Sequence, residues 1–107
     1  MATIKAVIVD PDGTTRDTEI ENSLGSFQAV VGGYIEGVIG RVATIYVNEE
    51  GLLIGLPPNP LATLFAQRFL GAGVVLVGPA LILGPPDGEG NDTPVRQSVV
   101  DYFKESN

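Results

Sequence analysis

The chain has 107 residues, 44% hydrophobic and 18% charged, enough for one globular domain with a core of its own. It contains no cysteine and no histidine, which excludes disulfides, thiol nucleophiles, thiolate metal sites and imidazole acid–base chemistry. Six basic against thirteen acidic residues give a net charge of −7 without any Lys/Arg cluster, so direct nucleic-acid binding is not expected. Any metal would be a hard cation held by oxygens, and the residues call for no cofactor. No apolar run approaches the roughly 20 residues of a membrane span. The opening Met1-Ala2-Thr3-Ile4-Lys5 leads straight into a strand pattern rather than a signal peptide, so a soluble protein of the cytoplasm is expected.

In chain order, Ile4–Val9 alternates into Asp10-Pro11-Asp12-Gly13 and Thr14–Ile20, a β-hairpin by pattern. Pro11 and Asp12 suit the centre of a type I turn, and Gly13 suits the left-handed position after it. Ser23 can cap a helix over Leu24–Val31, which Gly32-Gly33 ends. Tyr34–Ile39 and Val42–Val47 read as strands with Gly40-Arg41 as a tight turn, and Asn48–Gly51 turns into a further strand, Leu52–Leu56. Pro58 and Pro60 lead a helix over Leu61–Leu70, closed by Gly71 and Gly73. Val74–Leu83 is almost wholly apolar, which suits a central strand buried on both faces, with Gly78-Pro79 marking a bend. After the Pro85–Asn91 loop, Asp92 or Thr93 caps a last helix with Pro94 at its first position, over Val95–Lys104. The expected fold is a single α+β domain over 1–107, a mostly antiparallel sheet with about three short helices in the order β-β-α-β-β-β-α-β-α.

Ala6–Thr18 copies the first motif of haloacid-dehalogenase-type phosphatases, in which an apolar strand delivers a nucleophilic Asp and a second Asp two residues on. That similarity implies a Mg²⁺-dependent phosphatase-like enzyme using Asp10 and Asp12. The remaining machinery has no counterpart, since Lys5 and Lys104 are the only lysines and the late acids sit in the Asp87–Asp92 loop. A hairpin turn explains every letter from Asp10 to Gly13. A calcium loop from Asp10, Asp12 and Glu21 fails because Thr15 stands where glycine is required.

Other blocks are more distinctive. Gln28 precedes Val31-Gly32-Gly33-Tyr34-Ile35-Glu36; Asn48-Glu49-Glu50-Gly51 follows; then come Gly55-Leu56-Pro57 with Asn59, Ala62-Thr63, and Gly78 before Ala80-Leu81-Ile82-Leu83-Gly84. With the Ile4-Lys5-Ala6-Val7-Ile8-Val9-Asp10-Pro11-Asp12-Gly13 opening, the whole chain resembles a family of small phage and actinobacterial proteins, domain of unknown function number 3846. The resemblance implies an accessory, phage-encoded protein in a bacterial cytoplasm and no particular reaction.

Gln28, Gly32, Gly33, Tyr34, Glu36, Asn59 and Thr63 form the candidate ligand site. The two glycines permit close approach, Tyr34 offers a ring, and Asn59 and Thr63 stand where a helix start favours an anion. Several polar residues of these blocks also have plainer roles: Asn59 as a helix cap, Thr63 as a first-turn hydroxyl, Glu36 as an exposed strand residue and Asn48 as a turn residue. The expected function is a non-enzymatic binding protein that interferes with a host process or defence by sequestering a small phosphorylated, nucleotide-like ligand or a host protein. Self-association into a homodimer or larger is expected, because Val74–Leu83 and three short helices carry more apolar surface than a thin domain buries. The alternatives are the phosphatase-like enzyme above and an acidic DNA-mimic decoy for a nucleic-acid-binding host protein.

Overall fold

Turn chemistry builds the first hairpin of the computed structural model, which describes residues 2–71 and 73–106; Met1, named above, lies outside them. Thr3–Val9 (β1) returns as Thr15–Glu21 (β2), with Val9 opposite Thr15 and Thr3 opposite Glu21. The Gly13 N–H donates to the Asp10 carbonyl and the Asp10 N–H to the Thr14 carbonyl, both at 2.9 Å. This is the expected type I turn with a glycine bulge, and Gly13 occupies φ 90°, where a side chain would be strained.

Leu24–Val31 (α1) has the bounds expected from sequence: the Ser23 side chain accepts from the Ser26 N–H, and Gly32 ends the helix in the left-handed region. Ile35–Ile39 (β3) and Thr44–Asn48 (β4) form a second antiparallel hairpin. Pro60–Phe69 (α2), Ala80–Leu83 (β5) and Gln97–Glu105 (α3) follow. The five strands lie in the order β2-β1-β5-β4-β3, each antiparallel to its neighbours, so β5 joins two otherwise separate hairpins. The fold is α+β with an antiparallel sheet and three short helices, as expected.

Strand alternation divides the core into two layers. Val7, Val9, Ile45, Val47, Ala80 and Ile82 pack with Phe65 of α2 and with Val99 and Phe103 of α3. Ile4, Ala6, Ile8, Leu81 and Leu83 pack on the other face with Phe27 of α1. All four β5 side chains are fully buried. Burying a large aliphatic side chain contributes about 1.5–3 kcal/mol, so Leu81, Ile82 and Leu83 let a four-residue strand hold both hairpins.

Three expected elements differ. Leu52–Leu56 is not a strand: residues 51–55 wind through turns, with the Ile54 N–H bonded to the Glu50 carbonyl and the Leu56 N–H to the Gly51 carbonyl. Leu52, Leu53 and Ile54 are consequently exposed, at 76%, 86% and 59%. Val74–Leu83 is strand only at its end, because Gly78 (φ 74°) breaks the path. Upstream of it only an isolated bridge forms, between Val77 and Pro58, and Val74 and Val75 are exposed. The last helix starts at Gln97 after Arg96, not at Pro94. Asp92 and Thr93 do not cap it, since Asp92 accepts from the Tyr46 hydroxyl and Thr93 donates to the Pro85 carbonyl. The Val95 N–H meanwhile bonds the Lys5 carbonyl, holding this segment extended. No described helix is long and apolar enough to cross a membrane.

Candidate functional site

The end of α1, the start of β3 and the turn after β4 are latched together by Asn48, which is buried. Its Nδ2 donates to the Val31 carbonyl at 3.2 Å and its Oδ1 accepts from the Glu50 N–H at 2.8 Å. The Glu49 N–H adds a 2.8 Å bond to the Tyr34 carbonyl. Gly33 is required by proximity, since a Cβ there would stand 2.9 Å from the Asn48 Nδ2.

This latch floors a cleft of about 280 Å³ lined by Gln28, Gly32, Gly33, Tyr34, Asn48, Glu50 and Ile54. Tyr34 is 66% exposed. The Gln28 amide, the Tyr34 hydroxyl and the Glu50 carboxylate have no side-chain hydrogen-bond partner among the described residues. An aromatic ring and three available polar groups therefore surround a rigid glycine floor.

Four of the seven expected site residues, Gln28, Gly32, Gly33 and Tyr34, meet here. The other three do not. Strand alternation sends Glu36, with Val38, to the α2/α3 face, where it lines a second cleft of about 340 Å³ with Val47, Leu52 and Val74–Val77. Asn59 is fully buried: its Nδ2 donates to the Val9 and Gly78 carbonyls, both at 2.9 Å, and its Oδ1 accepts from the Ala62 N–H at 3.2 Å. The Thr63 hydroxyl accepts from the Leu76 N–H at 2.9 Å and donates to the Leu76 carbonyl at 3.3 Å. The α2 N-terminus is thus closed by the chain itself, and Asn59 and Thr63 line neither this cleft nor the second. Sequence reasoning read Asn48 as a turn residue and left it, Glu50 and Ile54 out of the site. For the loop that carries Ile54 the signal was an apolar run enclosed by Gly51 and Gly55, which is more natural for a loop than for a strand.

A family model, Domain of unknown function (DUF3846), matches residues 4–106. The chain belongs to this family. The DUF3846 match spans every element of the sheet and all residues of the first cleft, and it agrees with the resemblance carried by the sequence blocks. Comparisons with curated proteins and with solved structures found no match.

Elsewhere in this DUF3846 domain the acidic motif serves the hairpin. Asp10 lies 3.8 Å from Arg16, and the Asp12 Oδ1 accepts from both the hydroxyl and the N–H of Thr14, bonds that hold its carboxyl below the usual range. Both carboxylates sit at the tip of an antiparallel hairpin, not at the end of a parallel strand, and the cleft that Asp12 lines with Pro60, Leu61, Leu64 and Ser106 has no second acid and no lysine or arginine. Among the described residues no group of three or more acidic side chains could hold a metal ion. Neither cleft is lined by a lysine or arginine. The Tyr46 hydroxyl donates to Asp92 at 2.7 Å; burial, and then that carboxylate, push its pKa up to about 12. This bond fastens the 84–96 segment to the sheet.

Proposed function

We propose that this protein acts by binding rather than by catalysis, and that its ligand docks in the cleft between the end of α1 and the turn after β4. The observation that supports this most strongly is the convergence of the Gln28 amide, the Tyr34 ring and the Glu50 carboxylate over a floor fixed by Asn48. A fixed floor lowers the entropy lost on binding. A cleft of about 280 Å³ is at the small end of ligand pockets and takes one planar base or one amino-acid side chain.

The polar groups narrow the chemistry. Glu50 only accepts hydrogen bonds, Gln28 both donates and accepts, and Tyr34 presents a face on which a flat group or a cation can stack. A donor-rich planar group fits, such as a nucleobase or the guanidinium of a host protein segment. Phosphate-led recognition has no support, because no cation lines the cleft and the α2 N-terminus is closed. Sequestration of such a ligand by a phage-encoded accessory protein, against a host process or defence in a bacterial cytoplasm, is the biological role we infer from the family context.

The test is parallel affinity purification of tagged wild type and a Tyr34→Ala/Glu50→Gln variant from infected cells, followed by mass spectrometry of bound small molecules and proteins. A species retained by the wild type and lost from the folded variant supports the proposal. Equal retention by both sinks it.

A further inference from the structure

The two edges of the sheet differ in kind. On β2, Arg16, Asp17, Glu19 and Glu21 place charges along the free edge, the usual protection against strand addition. The β3 edge, Ile35-Glu36-Gly37-Val38-Ile39, carries one charge, and Ile39 is 62% exposed. Its ladder is fixed by bonds at either end: the Glu49 N–H to the Tyr34 carbonyl and the Gly40 N–H to the Ala43 carbonyl. In an antiparallel pair the bonded residues alternate, so Glu36 and Val38 bond inward to β4. Ile35, Gly37 and Ile39 therefore turn their N–H and C=O groups away from the sheet.

That outward row is symmetric about Gly37, and from this symmetry we propose that β3 pairs with β3 of a second copy. The pairing is antiparallel around a two-fold axis at Gly37, and it joins two five-stranded sheets into one. In this register Gly37 faces Gly37, and Ile35 faces Ile39 of the second copy, so every outward donor meets an outward acceptor. No side chain stands at the axis, so the central hydrogen-bonded pair forms without steric hindrance. Glu36 faces Val38 of the second copy rather than another carboxylate, leaving the two Glu36 side chains as diagonal neighbours about 7–8 Å apart. Beside the same strand, the exposed Leu52 and Val75 flank Val38 in the second cleft, giving the pairing an apolar rim. This association does not depend on what occupies the first cleft.

The first measurement is the mass of the wild-type protein by sedimentation equilibrium, alongside Ile39→Pro, which removes an outward N–H but no bond to β4. The wild type is expected at twice the 11.2 kDa chain mass and the folded variant at the single mass. Ile39→Lys, at an exposed side chain, makes the same test if proline disturbs the hairpin. The register is read separately in this cysteine-free chain. Glu36→Cys mixed with Val38→Cys should form a disulfide-linked dimer under mild oxidation, and neither alone should do so to the same extent. A monomeric wild type, a variant that stays dimeric, or Glu36→Cys cross-linking alone as efficiently as the mixture would overturn the proposal.

Discussion

Asn59 shows how much one buried amide can hold. It caps α2 and at the same time satisfies the Val9 carbonyl at the end of β1 and the Gly78 carbonyl ahead of β5. Asn59→Ala is expected to cost about 2–4 kcal/mol in urea unfolding, combining a lost cap with two unsatisfied buried carbonyls. Asn59→Asp should be no better, since it keeps the cap acceptor but loses both donors and buries a charge. A loss no larger than that of an ordinary surface cap would show that the two carbonyl bonds contribute little. Gly33 and Asn48 are a second coupled pair. Gly33→Ala and Asn48→Ala should each destabilise, yet together cost less than their sum, by about 1 kcal/mol. Strict additivity in the double-mutant cycle would separate the glycine from the latch.

At the scale of elements, Tyr46 and Asp92 tie the 84–96 segment to β4. The Tyr46 pKa is raised in the folded state, so the proton it holds stabilises the fold fully below the ordinary value of 10. That stabilisation drains away as pH rises from 10 to about 12, because the unfolded tyrosine ionises first. Tyr46→Phe should cost about 1 kcal/mol near neutral pH and flatten this alkaline decline. Spectroscopic titration should show a tyrosine ionising at about 12, and its persistence in Tyr46→Phe would assign it elsewhere.

What the sequence revealed follows from which of these ties are local. The first hairpin and α1 were legible because their turn, cap and glycine stop lie within a few residues of one another. Leu52–Leu56 and the start of α3 were not. Leu52 to Ile54 have a strand's letters but lie between turn bonds, and Asp92 and Thr93 have a cap's letters but partners elsewhere. The site divided in the same way. Gln28, Gly32, Gly33 and Tyr34 are neighbours in sequence and in space, whereas the carbonyls that take the Asn59 Nδ2 and the Leu76 partner of Thr63 are 13 to 50 residues away.

At the scale of the molecule, the sheet order matters for how the fold is reached. β1–β2 and β3–β4 are hairpins of adjacent segments, but the strand between them is β5, at residues 80–83 of 107. Neither hairpin has a neighbour in the sheet until residues 80–83 have been made, and an isolated hairpin is marginal in water. β5 must then close loops to both, pairing Ala80 with Val9 and Leu83 with Thr44. Contacts so distant in sequence slow folding, because loop entropy is lost before the pairing compensates for it. Ile82→Val, which costs about 0.5–1.5 kcal/mol, should therefore act mainly by slowing refolding in stopped-flow measurements. An effect confined to the unfolding rate would mean that the hairpins meet before β5 arrives. Two sheet edges thus stay open until one four-residue strand has been made, and the growing chain depends on whatever shields those edges until that strand is in place.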